Sequence, residues 1–484
     1  MSQRRRNSRT RTTLALATSL LGGALRAQAP PAPDQPWSIP DSAIARAAGL
    51  ADEPGEWVRK PYDLPALIDL AQRTNPETHA AWEGARAAAA AIGLVESSYL
   101  PQLSMEALGG FGRTPLPIPK TLVPKGYFVS DSREFIPSLA LKWLLFDFGR
   151  RDANLEAARA DSFVANAGFT AVHQKIVLEV SQTYFALGAA RGRLRAARKA
   201  LTTAQTVEKA TQAKRDRGLA TIVALTQAQR QTAQASYSVA AAEGAGRTAM
   251  ANLIAALGIP AATPLDVSDA SDTPPPASPD QSIAAAINAA LAHRPDIIAS
   301  LGKLDSAQAS LKAAQRAYRP TIGLSAHVFQ NMGATRSDGG STSTVNHDGG
   351  NILFSFSVPL FDGGERASRI SIARAKVRES QADLAQTRDG VAQQVVRAYD
   401  ELLTTLAEYD AAETLLRAAN TSYDAALHSY QQGVGTYTEL ATEENAVSDA
   451  ERQVEDARAG AHTAAAGLAF AMGLNGVSEA PATR

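Results

Sequence analysis

The chain has 484 residues, with 48 Lys and Arg against 48 Asp and Glu, and it has no cysteine. A balanced charge gives no basic surface of the kind that binds nucleic acid, and the missing thiols exclude a disulfide framework and a thiolate metal site. The length would permit several domains, so their number has to come from pattern.

Residues 1–29 read as a secretory signal. A basic n-region (Arg4, Arg5, Arg6, Arg9, Arg11) precedes an apolar core from Leu14 to Leu25 and the small-x-small site Ala27-Gln28-Ala29. The segment holds six Arg and no acid, so the remainder carries a net charge of −6. With no Cys after the signal, no lipid anchor is expected. No later stretch has ~18 consecutive apolar residues, so no transmembrane helix is expected. An exported chain can still enter a membrane as a closed β-barrel.

A Pro-rich segment, 30–61, follows. Leu64 to Tyr99 is helical, with Asn75-Pro76 as an interruption. After Pro101 the period becomes two, and Leu103, Met105, Ala107, Gly109 and Phe111 alternate with more polar neighbours, a strand over about 101–113. A loop over 114–134 and a strand over about 135–147 come next, the latter with Leu139, Leu141, Trp143 and Leu145 on one face. A helix then runs unbroken over about 150–217, and Thr221–Leu257 forms another. After a Pro-rich linker, 261–282, the cycle restarts: helix Ile283–Tyr318, strands over about 320–330 and 351–361 flanking a Gly/Ser loop over 331–350, a long helix over about 364–432, and a last helix Thr436–Met472. Residues 476–484 form a polar tail.

The restart is a duplication. Phe146 and Phe361, Gly218 and Gly433, and Leu225 and Leu440 all share one offset in the numbering, which defines repeats over 62–260 and 283–475. Within the long helices a large column (Val180, Leu187, Leu194, Leu201; Val395, Leu402, Tyr409, Leu416, Tyr423, Tyr430) recurs every seven residues beside a small one (Thr183, Ala190, Ala197, Ala204, Thr211; Ala398, Thr405, Ala412, Ala419, Ala426). This is coiled-coil packing on helices roughly 100 Å long, at about 1.5 Å per residue. The four shorter helices are each about half that length. The expectation is that Thr221–Leu257 stacks on Ile283–Tyr318, and Thr436–Met472 on Leu64–Tyr99. Four strands cannot close a barrel, since the smallest have about eight. Either they form a soluble sheet or several chains pool them, and the periodicities allow two, three or four chains.

The duplicated strand–Phe-Asp-Gly–long-helix unit, His293-Arg294-Pro295-Asp296 and the turns Arg217-Gly218-Leu219-Ala220-Thr221 and Gly433-Val434-Gly435-Thr436 resemble the TolC family of outer-membrane efflux channels over about 62–475. That resemblance implies a mainly α fold with a membrane β-barrel: a homotrimer whose strands form a 12-stranded barrel in outer-membrane lipid, above a 12-helix periplasmic tunnel. It further implies the outer-membrane channel of a tripartite efflux system, a passive exit for small molecules, with a periplasmic adaptor and an inner-membrane transporter as partners. The alternatives are a type I secretion exit for a polypeptide and, in another class, a soluble periplasmic coiled-coil interaction protein.

By the same resemblance, Arg217, Gly218, Leu219 and Ala220 with Gly433, Val434, Gly435 and Thr436 are the adaptor-docking tips, against the plainer reading of those glycines as helix C-caps. Glu439 and Glu443 are the constriction of the periplasmic entrance, although Thr442 stands where a second acid is common; the plainer alternative is a solvated charged face. The strand-to-helix turns are Phe146, Asp147 and Gly149, and Phe361, Asp362 and Gly363. Asp147 and Asp362 are expected to be N-caps. Trp143, Phe146, Phe148 and Phe361 suit an aromatic belt. The seven His are scattered, and no HExxH, Walker A, GxSxG or paired-carboxylate motif occurs. Neither an enzyme nor a cofactor, metal or nucleic acid is expected.

Overall fold

The computed structural model describes residues 61–122, 124–269, 273–337 and 340–474. The predicted signal, nearly all of the Pro-rich segment and the tail lie outside the described residues.

Helix α1 (Leu64–Thr74) opens on Asp63, whose Oδ1 accepts the Ala66 N–H at 3.0 Å. Asn75 ends α1 and starts α2 (Pro76–Glu96), its side chain accepting the Glu77 N–H at 2.8 Å with Pro76 in the first turn. Strands β1 (Gln102–Pro117) and β2 (Tyr127–Phe146) lead into the first long helix, α3 (Arg150–Asp216), and α4 (Ile222–Leu257). The second half repeats this with α5 (Ile283–His293), α6 (Pro295–Arg316), β3 (Thr321–Ser337), β4 (Thr342–Ser357), α7 (Glu365–Gln432) and α8 (Tyr437–Ala471). Every member of the two heptad columns is buried or half-buried, led by Val180 and Val395, which have no exposed surface.

The four strands form one antiparallel sheet in the order β1-β2-β3-β4. They are 16, 20, 17 and 16 residues long, so the expected loops over 114–134 and 331–350 are mostly strand. The hairpins stay paired as far as Pro117↔Tyr127 and Arg336↔Thr342. Backbone hydrogen bonds carry these ends; the β3–β4 end is polar on both faces and the β1–β2 end is interrupted by Pro115 and Pro117, so the two-residue alternation that marks a half-buried strand disappears before the strand does.

The stacking of the half-helices differs from expectation. The last carbonyls of α4 accept bonds from the Asn75 break: Thr74 Oγ1 donates to Leu257 O at 2.8 Å and Asn75 Nδ2 to Ala256 O at 3.0 Å. The end of α8 meets the Arg294 break in the same way, with Arg294 Nη1 donating to Ala471 O at 3.2 Å. The composite columns are therefore α4 with α2 and α8 with α6. The four half-helices expected from sequence are of nearly equal length, so length does not choose between pairings; the orphan carbonyls at a helix end do, because each needs a donor. The α4–α2 column packs on α3, and the α8–α6 column packs between α3 and α7. Each column meets the strand of the same rank, so sheet and helices share one order. Clusters around Leu67, Ile176 and Leu257, and around Val391, Val395 and Leu468, form the cores at the waist.

Candidate functional site

At the two strand-to-helix turns the residues labelled from sequence come together, but the cap is not the expected one. Gly149 and Gly364 occupy the N-cap positions at φ 91° and 92°, and make no side-chain cap. The aspartates act from two residues upstream. Asp147 Oδ2 accepts the Arg151 N–H at 2.9 Å and Oδ1 the Gly149 N–H at 3.2 Å. Asp362 does the same for Arg366 and Gly364, at 3.0 and 3.2 Å. The chain must fold back through two left-handed residues to let the carboxylate reach the helix. Gly363 serves at φ 65° in one repeat, and Phe148 takes its place at φ 55° in the other. It is the only non-glycine residue with positive φ among the described residues.

Two arginines that sequence reasoning passed over complete the turns. Arg151 is buried and donates to Ser98 O, Leu144 O and Leu145 O at 2.9, 2.7 and 3.0 Å, pairs with Asp147 at 3.3 Å, and stacks on the Tyr99 ring at 4.5 Å. Arg366 repeats the pattern with Asp362, Pro359 O and the Tyr318 ring. Each guanidinium ties a strand end, a helix start and the preceding half-helix into one joint. The signal was available, since Asp-x-x-x-Arg recurs at the duplication offset. Around these joints Phe146, Phe148, Leu360 and Phe361 point outward and are exposed, Phe361 at 88%.

The tips lie at the opposite ends of the long helices. Arg217, Gly218 and Leu219 form a Schellman turn: Gly218 N donates to Arg215 O and Leu219 N to Lys214 O, both at 2.8 Å, with Gly218 at φ 75°. Gly433, at φ 81°, does the same for α7, and Val434 N donates to Ser429 O at 3.0 Å. Gly435 serves another need, because a Cβ there would lie 2.9 Å from the Ser429 Cβ. The turns present Leu219 and Val434 to solvent at 74% and 79% exposure, with Arg217 and Thr436 exposed and Ala220 half-buried. The tips are clasped together: Lys214 Nζ donates to Tyr430 O at 3.1 Å and lies 3.9 Å from its ring centroid, and Thr211 and Tyr430 share a 3.0 Å hydroxyl bond.

Glu439 is exposed and closes a capping box: it accepts the Thr436 N–H at 2.9 Å, while Thr436 Oγ1 accepts the Glu439 N–H at 3.2 Å. Its counterpart in the first repeat, Ala224, only donates to Thr221 Oγ1. Glu443 is half-buried. The acid that stands out is Glu444. It is 5% exposed, neither carboxylate oxygen has a partner among the described residues, and burial pushes its pKa up to about 7. It shares a helix face with Tyr437 and Leu440, and packs in the cluster of Val207, Ala228 and Tyr423 that joins α3, α4, α7 and α8. Burial, and then Glu444, push Tyr437 up to about 12.

The family described as outer membrane efflux protein matches residues 67–259 and 286–474. Among curated proteins, the chain is 30% identical over 350 residues to the protein CyaE of Bordetella pertussis, covering 71% of this chain and 70% of that one. It is 24% identical over 364 residues to the outer membrane efflux protein BepC of Brucella suis, covering 75% and 74%. Among solved structures, the MtrE outer membrane channel of Neisseria gonorrhoeae in its open state superposes with a TM-score of 0.68 at 21% identity, covering 85% of this chain and 89% of that one.

Proposed function

The chain belongs to the outer membrane efflux protein family, and from that premise we propose how it assembles into a duct and what meets its ends. It is an outer-membrane efflux channel with a periplasmic helical body, and its family and fold are those of channel proteins. We propose a homotrimer that pools twelve strands into one barrel and carries small molecules passively outward. A periplasmic adaptor and an inner-membrane transporter would supply the pump.

The observation that carries closure on further copies is the unfinished layer of a single chain, and the number three follows from the family resemblance. The sheet ends at β1 and β4, exposed along nearly their whole lengths, and the helices end in the same order at the α4–α2 column and α7. A sheet edge in lipid has no water to satisfy its N–H and C=O groups, so only closure on further copies makes it stable there. The edge columns also carry exposed apolar side chains, Tyr237 on α4 and Ile372 on α7 among them. The tips Arg217, Gly218, Leu219, Ala220, Gly433, Val434, Gly435 and Thr436 are proposed as the adaptor surface because they end the helices farthest from the sheet and expose Leu219 and Val434. Glu439 and Glu443 are proposed as the acidic narrowing of the entrance, in a ring that would attract cations.

Sedimentation of the protein extracted from outer membranes in mild detergent tests the assembly. A trimer mass supports it, and a monomer from that fraction overturns it. Because the chain has no cysteine, Leu219→Cys and Val434→Cys each place one reactive group at a tip, and a crosslink to the adaptor at either site supports the docking assignment.

A further inference from the structure

One face of the sheet is apolar. The registers align Trp143, Leu324 and Phe354 into one row, Leu103, Leu141, Ala326 and Ile352 into the next, and Met105, Leu139 and Val328 into a third. The bulge between Leu144 and Phe146 brings Phe146 opposite Ile322, onto this same face. From Phe146 up β2 to Phe135 is about 36 Å of strand at ~3.3 Å per residue, or roughly 25 Å of height at a tilt of about 45°, the height of a lipid-facing band.

Beyond that band, away from the helices, the first ionised side chain on this face is Arg113 on β1, Arg133 on β2 and Arg336 on β3, while on β4 it is Asp348, opposite Gln330 inside the band. Register brings them to one corner: Arg113 lies opposite Asp131, Asp131 opposite Arg336, and Arg133 opposite Phe111. The three line one open cleft of about 720 Å³ with Phe111, Asp131 and Thr342. A single carboxylate faces the three guanidiniums within it. Asp131 pairs with Arg113 at 3.5 Å, and Arg336 Nε donates to Thr342 Oγ1 at 3.2 Å. Arg133 has no partner among the described residues.

We propose that Arg113, Arg133 and Arg336 bind the phosphate groups of the phosphorylated glycolipid of the outer leaflet. The assignment rests on the outer-membrane channel reading, which sets the end of the sheet remote from the helices at the outer leaflet. Guanidinium forks match phosphate oxygens in pairs, and three forks around one carboxylate leave a net positive cleft. The apolar rows directly below receive the acyl chains of the same molecule, so headgroup and tail are met in the order in which a lipid presents them. On the opposite face Glu106, Glu134 and Lys142 are mixed in sign and offer no such order.

The test uses the full-length protein in detergent and purified diphosphorylated lipid A, read by native mass spectrometry and by the unfolding temperature. Wild type should bind the lipid and unfold at a higher temperature with it. R113Q/R133Q/R336Q should lose about tenfold or more in affinity, R113K/R133K/R336K should lie between, and K142Q on the other face should match wild type. Dephosphorylated lipid A should bind the wild type as weakly as the triple Gln variant binds the diphosphorylated form. Equal binding by wild type and the triple Gln variant overturns the proposal, as does displacement of the lipid by millimolar inorganic phosphate, which would make the cleft a site for free phosphate. Sedimentation of each variant separates the two readings: a trimer from outer membranes that ignores lipid A refutes the lipid site alone, whereas a protein that never reaches the outer membrane refutes both.

Discussion

Replacing Glu444 by Gln keeps the shape of the side chain and removes the charge that burial penalises. In the folded tip the carboxyl titrates at about 7 against an ordinary 4.5. The folded state therefore holds the extra proton between those values. Its stability relative to the opened tip is full below pH ~4.5 and falls as pH rises to about 7, where it levels off. That difference corresponds to about 3 kcal/mol, or roughly two orders of magnitude in an opening equilibrium. Tyr423 and Tyr437 on α7 and α8 are both raised, so they stay neutral throughout, while Arg230 and Glu208 approach Tyr437 from α4 and α3. Hydrogen-exchange protection factors over Tyr437–Ala450, measured from pH 4.5 to 8, read this directly. Wild type should lose protection across the window, and Glu444→Gln should stay flat and exceed wild type at pH 8 by about a hundredfold. Equal protection in the two proteins at pH 8, or protection that rises with pH in wild type, would refute the assignment of Glu444 as a buried unpaired acid.

Other perturbations separate roles that coincide in one residue. Glu439→Gln preserves the capping box, because an amide oxygen still accepts the Thr436 N–H, so thermal stability should hold while cation selectivity of single-channel conductance falls if the acid narrows the entrance. Glu439→Ala should cost about 1 kcal/mol as well, read as a lower unfolding temperature. Arg151→Leu strands Asp147 and three carbonyls at a buried joint and should cost about 3–5 kcal/mol, seen as a lower unfolding temperature or a loss of assembled protein. Phe148→Gly relieves a left-handed bulky residue and should stabilise by about 1 kcal/mol, whereas Gly363→Ala at the equivalent position should destabilise by a similar amount.

The duplication was legible because it is written in punctuation and in packing residues. Glycine at the tips, Phe-Asp at the turns and the heptad columns recur at one offset, and in the fold these residues turn the chain or fill the interface between helices. The strand ends were less legible, because Thr342, Thr344 and Asn346 face polar surroundings on both sides and carry no alternation. The partner of each half-helix was misread because the deciding feature is the pair of orphan carbonyls at Ala256 and Leu257, which no side-chain pattern encodes. Arg151 and Arg366 sit in the first turn of a helix, where sequence alone gives no reason to bury a cation. Glu444 stands in a run of acids, and only the cluster of Tyr423, Tyr437 and Leu440 around it distinguishes it from Glu443.

The bonds that splice the half-helices also order the assembly of the chain in time. Thr74 and Leu257 are 183 residues apart in sequence, and Arg294 and Ala471 are 177 apart. The hairpins of α3 with α4 and of α7 with α8 close over one tight turn each, so they can form as local units. The waist cannot, because each splice must wait for a loop several times longer to close, and every doubling of a loop adds about 0.6 kcal/mol of entropy. High sequence separation of this kind slows folding. The waist, like the β2–β3 ladder that pairs Ser130 with Ser337, therefore belongs to the late contacts of a chain, and a chain whose two arms alone have zipped displays, at Asn75 and Arg294, unfilled seats for its own helix ends.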